Sequence, residues 1–332
     1  MIRAGLIATI FLALVALAHF LRLVLRVEVV AGGVIIPLWL SAVACLCTGG
    51  LAMLLWREGV GTSQRGKAIA SFGIASEQNS FSERNSRFME IFPRLTNQSN
   101  QILIRTLTAP DEAHSVVFYL GRLVVEDFME ILLNCANGYG MAGLKLLRPM
   151  FEATVTALYL TKHPEEAKAF LDYHTVHQRK GLKLAESVGV DLADRIPKTQ
   201  QAEIEARYQQ VRDLYRQVKC PECGAQLADM SWSKKDVVAM CHELGLQQMA
   251  FALYFYTTLY IHTTPTRLTS RLRETKDGIT FKEEAQRSEA DMAMAGAHIC
   301  LALILQCHNR FFDLNIADLE RELHRDLQYA WP

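Results

Sequence analysis

The chain has 332 residues, with 35 Lys+Arg against 35 Asp+Glu, so its formal net charge is zero. That balance argues against a basic nucleic-acid-binding protein and against an acidic disordered chain. It is unevenly spread: the first 60 residues hold only six charged side chains, Arg3, Arg22, Arg26, Glu28, Arg57 and Glu58.

Ala4 to Leu21 carry no charge and one histidine, and Val29 to Trp56 are charge-free as well. A bilayer core needs about 20 mainly apolar residues in a helix. Residues 1–58 therefore read as a two-helix transmembrane hairpin, with spans over about 4–25 and 34–56. Trp39 and Trp56 are spaced for the two interfacial belts, and Arg57 follows where a cation reaches headgroups. Arg22, Arg26, Glu28 and Gly32-Gly33 make up the turn. Ala16-Leu17-Ala18 resembles a signal-peptidase site, but the basic n-region is thin and the apolar run continues past it. Arg3, Arg57, Arg65 and Lys67 outnumber Arg22 and Arg26, which favours both ends in the cytoplasm. The expected location is the cell inner membrane, multi-pass, with the C-terminal domain cytoplasmic and the lipid bilayer as partner. The single, scattered cysteines fit a reduced compartment.

Residues 59–101, rich in Gly, Ser, Asn and Gln, read as a polar helical arm or a linker. Residues 102–332 read as an all-α bundle. Pro110-Asp111-Glu112 starts a helix whose apolar stripe runs from Val116 to Cys135, and Gly138-Tyr139-Gly140 breaks it. The next helix, about 141–162, is apolar nearly all round and should be central. Further helices are expected from Pro164 to about 188, at about 200–218, from Ser233 to Gly245, over 246–262, over about 281–312, and over 317–328. The charge-free stretch from Met292 to Asn309 reads as a buried bundle helix rather than a third span, because His298, Gln306, His308 and Asn309 interrupt it.

Two charges stand where the pattern asks for none. Arg148 and Glu152 lie four residues apart on the central helix, within reach of each other on one face. A second polar group ends the aromatic helix: Tyr256, Tyr260, His262, Thr263, Thr264 and Arg267. If the two helices pack together, Arg148, Glu152 and His262 share a pocket. Glu152 and His262 would then be acid/base candidates and Arg148 an anion binder. The competing account is an inter-helical ion pair that sets helix register and no more.

These segments, ILLNCANGYGMAGLKLLRPMFEATVTALYL and SWSKKDVVAMCHELGLQQMAFALYFYTTLYIHTTPTRL, resemble the uncharacterised bacterial family named domain of unknown function 5677. The features that carry the resemblance are the Gly-rich break, Arg148 and Glu152 one turn apart, the leading Trp232, and the Tyr254 to Pro265 element. They span about residues 115–312. The resemblance implies an all-helical domain and no assigned activity; the first 60 residues lie outside it.

Cys220-Pro221-Glu222-Cys223-Gly224 has the form of a zinc-ribbon knuckle, in which two thiolates face one ion and glycine permits the bend. A structural zinc needs further ligands. Cys241 or His242 is a candidate, though neighbours on a helix point about 100° apart. Without a partner the motif is a reduced turn. The helical ribonucleases of the HEPN type use an Arg-x4–6-His pair, which this chain lacks, and there is no Walker loop, GxGxxG, HExxH or nucleophile elbow. The expected function is interaction or sensing at the inner membrane face, with a protein partner or a second copy. The alternative is a nuclease-like or other enzymatic effector in bacterial stress or phage defence.

Overall fold

The computed structural model describes residues 2–25, 27, 30–31, 34–35, 37–63, 74, 76–215 and 231–332. They fall into two units, Met1–Ser71 and Phe72–Pro332.

In the first unit, α1 (Ile2–Leu25) and α2 (Leu38–Ser63) pack against each other, joined by the short antiparallel strands β1 (Val30–Ala31) and β2 (Val34–Ile35). Arg22 closes the turn: its Nη1 donates to Ser41 Oγ at 2.7 Å and its Nε to the Val27 carbonyl at 3.1 Å. Ser41 is buried by this contact. Phe11–Leu25 and Leu38–Met53 are apolar helical stretches shorter than a full membrane span.

The second unit is a helical bundle with one small hairpin of strands. Its centre consists of α5 (Glu112–Ala136), α6 (Gly140–Lys162) and α13 (Arg287–Phe311), which pack on one another along most of their length. Among the described residues α13 is the helix long and apolar enough to cross a membrane, but 67% of its apolar window is buried inside the protein. It is a core helix, as its histidines suggest. Asp111 caps α5 by accepting from the His114 backbone N–H at 2.8 Å.

The Gly-rich break has two separate causes. Gly138 ends α5 with φ +85°, a conformation L side chains rarely adopt. Gly140 starts α6 where the backbone of α13 comes closest: a Cβ there would lie 2.2 Å from the Gln286 carbonyl oxygen and 2.4 Å from the Ala290 nitrogen. Gln286 also caps α6, its Oε1 accepting from the Met141 N–H at 2.8 Å.

The expected arm over 59–101 is corrected from residue 77 onward. α3 (Glu77–Arg84) and α4 (Ser86–Leu103) belong to the bundle, and the unit begins at Phe72 rather than at 102. Phe81, Phe88, Ile91, Leu95 and Ile102 are buried along their inner face. The polar residues that suggested an arm are fastenings instead. Arg287 grips Glu77 through Nε–Oε2 at 3.0 Å and Nη2–Oε1 at 2.6 Å. Arg94 grips Asp326 on α14 (Leu319–Ala330) at 2.9 and 2.6 Å, and that carboxylate is only 2% exposed.

Around this centre, α7 (Ala167–Ser187) and α8 (Lys198–Tyr215) form a satellite pair closed by Tyr173, Val176, Tyr208 and Tyr215. Asp236, rather than Ser233, caps α9 (Val237–Leu244), accepting from Ala239 N at 2.7 Å. Residues 247–261 are helical throughout, as α10 (Gln247–Met249), a π-helical segment (Ala250–Phe255) and α11 (Tyr256–Ile261); a short α12 (Pro265–Thr269) follows. The helix expected from about 281 starts instead at Arg287. Before it stand β3 (Leu272–Thr275) and β4 (Gly278–Phe281), antiparallel with Thr275 opposite Gly278. These strands are too short for their alternation to show in sequence, and Gly278, at φ +132°, makes the turn.

Two histidines of α13 are fully buried in opposite tautomers. Trp331 Nε1 donates to His298 Nδ1 at 3.1 Å, so the His298 hydrogen sits on Nε2. His308 Nδ1 donates to the Ile304 carbonyl at 2.9 Å, leaving Nε2 bare. Burial pulls both rings from an ordinary pKa of 6.5 down to about 4. The unfolded chain therefore binds two protons that the folded chain refuses between about pH 6.5 and 4. Stability is full above that window and falls as the pH drops through it, on the order of 3 kcal/mol per histidine. Half-buried Asp127, pushed up to about 6 by burial and then by Glu130 and Glu126, works in the opposite sense. Urea midpoints measured from pH 7 to 5 should fall, and the fall should flatten in the His298→Gln, His308→Gln double variant.

A pair of glycine replacements tests the packing. Gly140→Ala should destabilise by about 1–3 kcal/mol through overpacking against α13. Gly181→Ala, on exposed α7 where a Cβ meets nothing within 4 Å, should stabilise by about 0.5–1 kcal/mol. Urea denaturation of the two variants reads both signs.

Candidate functional site

The anomalous charges of α6 find their partners on the helical run over 247–261. Arg148 Nε donates to Glu152 Oε1 at 2.8 Å, Nη1 to Thr258 Oγ1 at 3.1 Å, and Nη2 to Tyr254 Oη at 3.2 Å. The guanidinium carbon also lies 4.5 Å from the Tyr254 ring centroid. Tyr254 belongs to the π-helical segment, a local widening often met at functional positions. Partial burial alone would lower the Arg148 pKa, but the hydrogen bond to Glu152 and that group's charge outweigh it and raise it. The guanidinium is thus a fixed cation, held in a planar fork by four contacts. Glu152 is 39% exposed, so the pair faces solvent along one edge rather than filling a sealed pocket.

His262 does not join them. It is exposed at the C-terminal end of α11, and among the described residues its ring makes no hydrogen bond or ion pair. The expected grouping of Arg148, Glu152 and His262 resolves into Arg148, Glu152, Tyr254 and Thr258. An acid/base pair of Glu152 with His262 has no shared contact on which to act. Tyr256 and Tyr260 bond to each other through their hydroxyls at 2.8 Å.

The other members of that polar group, Thr263, Thr264 and Arg267, line a cavity of about 470 Å³ beside the first turns of α6. Lys145, Arg271 and Gln286 line it as well. Lys145 was legible by the same reasoning as Arg148: it too is a charge on the central helix, three residues earlier. Arg271 was not, because it stands two residues past α12, far from α6 in sequence, and only the tertiary structure brings it to the same cavity.

The metal candidates separate. Cys220 and Cys223 lie outside the described residues. Cys241 is fully buried in the apolar core, and burial, then the charge of Asp236, pushes its thiol up to about 11. His242, its neighbour, is exposed, with Nδ1 3.4 Å from Gln247 Nε2. The two point apart, as adjacent helical positions must. Elsewhere His163, Glu165 and Glu166 offer ligand atoms within 4.8 Å of one another. His163 also bonds Glu243, which Lys235 engages from the other side, so these groups form a surface ion network. Trp232 packs edge-on against Phe170, with centroids 5.2 Å apart, and against Tyr159 at 6.0 Å.

Because Arg148 reaches two partners on the neighbouring run, Arg148→Ala should lower stability by about 1–3 kcal/mol. Glu152→Gln should cost less than about 1 kcal/mol, as expected for a partly exposed pair, and His262→Ala should stay within about 0.5 kcal/mol. Chemical denaturation of the three variants checks this order.

No match to the chain was found among curated proteins or among solved structures. A family model does match: the family of unknown function DUF5677, over residues 114–279, half of the chain, from the first turn of α5 through the first residues of β4. This stretch contains the Gly-rich break, the Arg148–Glu152 pair and the π-helical segment, and the chain belongs to that family.

Proposed function

We propose that the chain is a membrane-anchored protein whose helical domain acts in interaction or sensing at the inner membrane face. The observation that carries this reading is the outer surface of the α1–α2 pair. Phe11 is 65% exposed and Leu46 77% exposed, and Leu14, Leu17, Phe20, Trp39, Val43, Leu51 and Met53 are exposed with them. A soluble protein rarely presents so continuous an apolar surface, whereas lipid tails would cover it without cost. The charge-free runs from Ala4 to Leu21 and Val29 to Trp56 supply the length that two crossings need.

The helical domain supports binding rather than chemistry. Arg148 is committed to Glu152, Tyr254 and Thr258, and Glu152 is held by that ion pair with no histidine among the described residues in contact with it. The described histidines of α13, His298 and His308, are sealed in the core and give a nuclease-like reading no support.

Alkaline extraction of cells making the full chain should leave it in the membrane pellet. The variant Leu14→Arg, Leu17→Arg, Leu46→Arg should move to the supernatant, since each central arginine costs about 2.5–3.5 kcal/mol of insertion. Recovery of the unsubstituted chain in the supernatant refutes anchoring. For orientation, Asp277→Cys at the exposed β3–β4 turn should resist an impermeant maleimide in intact cells, relative to the unsubstituted chain. Rapid labelling would reverse the topology.

A further inference from the structure

The cavity beside α6 differs electrostatically from the rest of the bundle. Several arginines that tie elements of the bundle together meet a carboxylate: Arg84 meets Asp291, Arg94 meets Asp326, Arg148 meets Glu152, and Arg287 meets Glu77. Here three cations, Lys145, Arg267 and Arg271, line one cavity and no Asp or Glu lines it with them. Among the described residues, the side chains of Lys145 and Arg267 have no hydrogen-bond or ion-pair partner. Both are half-buried. Lys145 shows the strain of this arrangement: burial first, and then the charge of Arg267, lower its pKa. Like charges held together in a partly desolvated space disfavour the empty state, and a bound anion relieves the repulsion.

The third cation is held in place beforehand. Arg271 donates to the Lys282 carbonyl and lies 5.1 Å from the centroid of the Phe281 ring, which fixes its fork while leaving other N–H groups free. The hydroxyl of Thr264 is already engaged, donating to the Leu259 carbonyl at 2.5 Å and accepting from Arg267 N at 3.1 Å, so it holds the loop in shape. Tyr139, Leu268 and Phe281 add apolar and aromatic surface to the lining. At about 470 Å³ the volume falls in the range of small-molecule sites.

We propose that this cavity binds a small phosphate monoester, its phosphate between Lys145, Arg267 and Arg271 and its carbon portion against Phe281 and Tyr139. A planar fork and a point-like ammonium suit a tetrahedral group, and a charge of about −1.5 to −2 at neutral pH matches a cluster of three cations better than a single carboxylate does. The proposal deepens the sensing role by naming the class of signal, and rests on that reading only for its biological meaning.

The test uses the full chain in detergent, with calorimetric titration and thermal unfolding. The probes are inorganic phosphate, AMP, adenosine and short-chain phosphatidic acid. AMP or phosphatidic acid should bind and raise the unfolding temperature, inorganic phosphate should bind more weakly, and adenosine should not bind. Preference for AMP assigns a soluble ligand, and preference for phosphatidic acid assigns a lipid headgroup; both carry the same phosphomonoester. Lys145→Met and Arg267→Met should each weaken binding roughly tenfold or more. Without ligand, Lys145→Met should unfold at the same or a higher temperature than the parent, because it removes a repulsion. That result separates loss of binding from loss of folding. Lys198→Met, which removes an exposed cation of α8 away from the cavity, should leave binding unchanged. Absence of binding by every phosphate probe overturns the proposal, as does binding that survives both cavity substitutions. Membrane extraction reads only the N-terminal helices, so the anchor and the ligand site can fail separately.

Discussion

The helical domain depends on how closely α6 can approach α13. At Gly140 the two backbones come so near that a methyl group would lie 2.2 Å from the Gln286 carbonyl oxygen. The same Gln286 donates its backbone N–H to the Gly138 carbonyl at 3.1 Å and lends its side-chain oxygen to the first turn of α6. One contact therefore fixes where α5 ends, where α6 begins and how α13 enters the core. Because protein interiors are close-packed, an error here would propagate along all three helices. It also brings Gln286, at the head of α13, to the edge of the cavity that Lys145 lines from α6.

With the centre set, charged residues fasten the outer helices. α3 and α4 lay their apolar faces on the core and are locked by two-point arginine clamps, Arg287 on Glu77 and Arg94 on Asp326. In each case the carboxylate is the buried partner, with 6% exposure for Glu77 and 2% for Asp326, while the arginine keeps an edge in solvent. A carboxylate in that position needs its donors, so the clamps select one placement of these helices more than they add net stability. Arg148 spans from α6 to the π-helical segment with the opposite balance of exposure, 21% against 39% for Glu152.

Against this background of paired charges, the group Lys145, Arg267 and Arg271 stands apart. The fold has spent its carboxylates elsewhere and left three cations around one open space with aromatic surface in its lining. A structural role would be served better by a neutral side chain or by a nearby acid. The arrangement is the kind expected where charge compensation arrives from outside the chain.

Much of this was legible from the residues alone. The charge-free N-terminal runs, the all-α class, the central apolar helix, the glycine break and the pairing of Arg148 with Glu152 follow from composition and from the 3.6-residue period, which local sequence records directly. Other features depend on contacts between distant segments. The residues over 77–101 read as polar because their Arg, Glu, Asn and Gln side chains were seen without Asp291, Glu322, Asp326 and Arg287, some two hundred positions away. His262 looked like a partner of Glu152 because it follows the right helix, yet the backbone turns extended at that residue and carries the ring into solvent. Lys145 and Arg271 are 126 positions apart in sequence and line one cavity only because the tertiary fold brings the segment after α12 to α6. Sequence by itself determined which segments are helices and which faces are apolar, since those are properties of neighbouring residues. Only the tertiary structure decided which charges are satisfied and which are left facing a cavity, because a charge is neutralised by whatever lies near it in space.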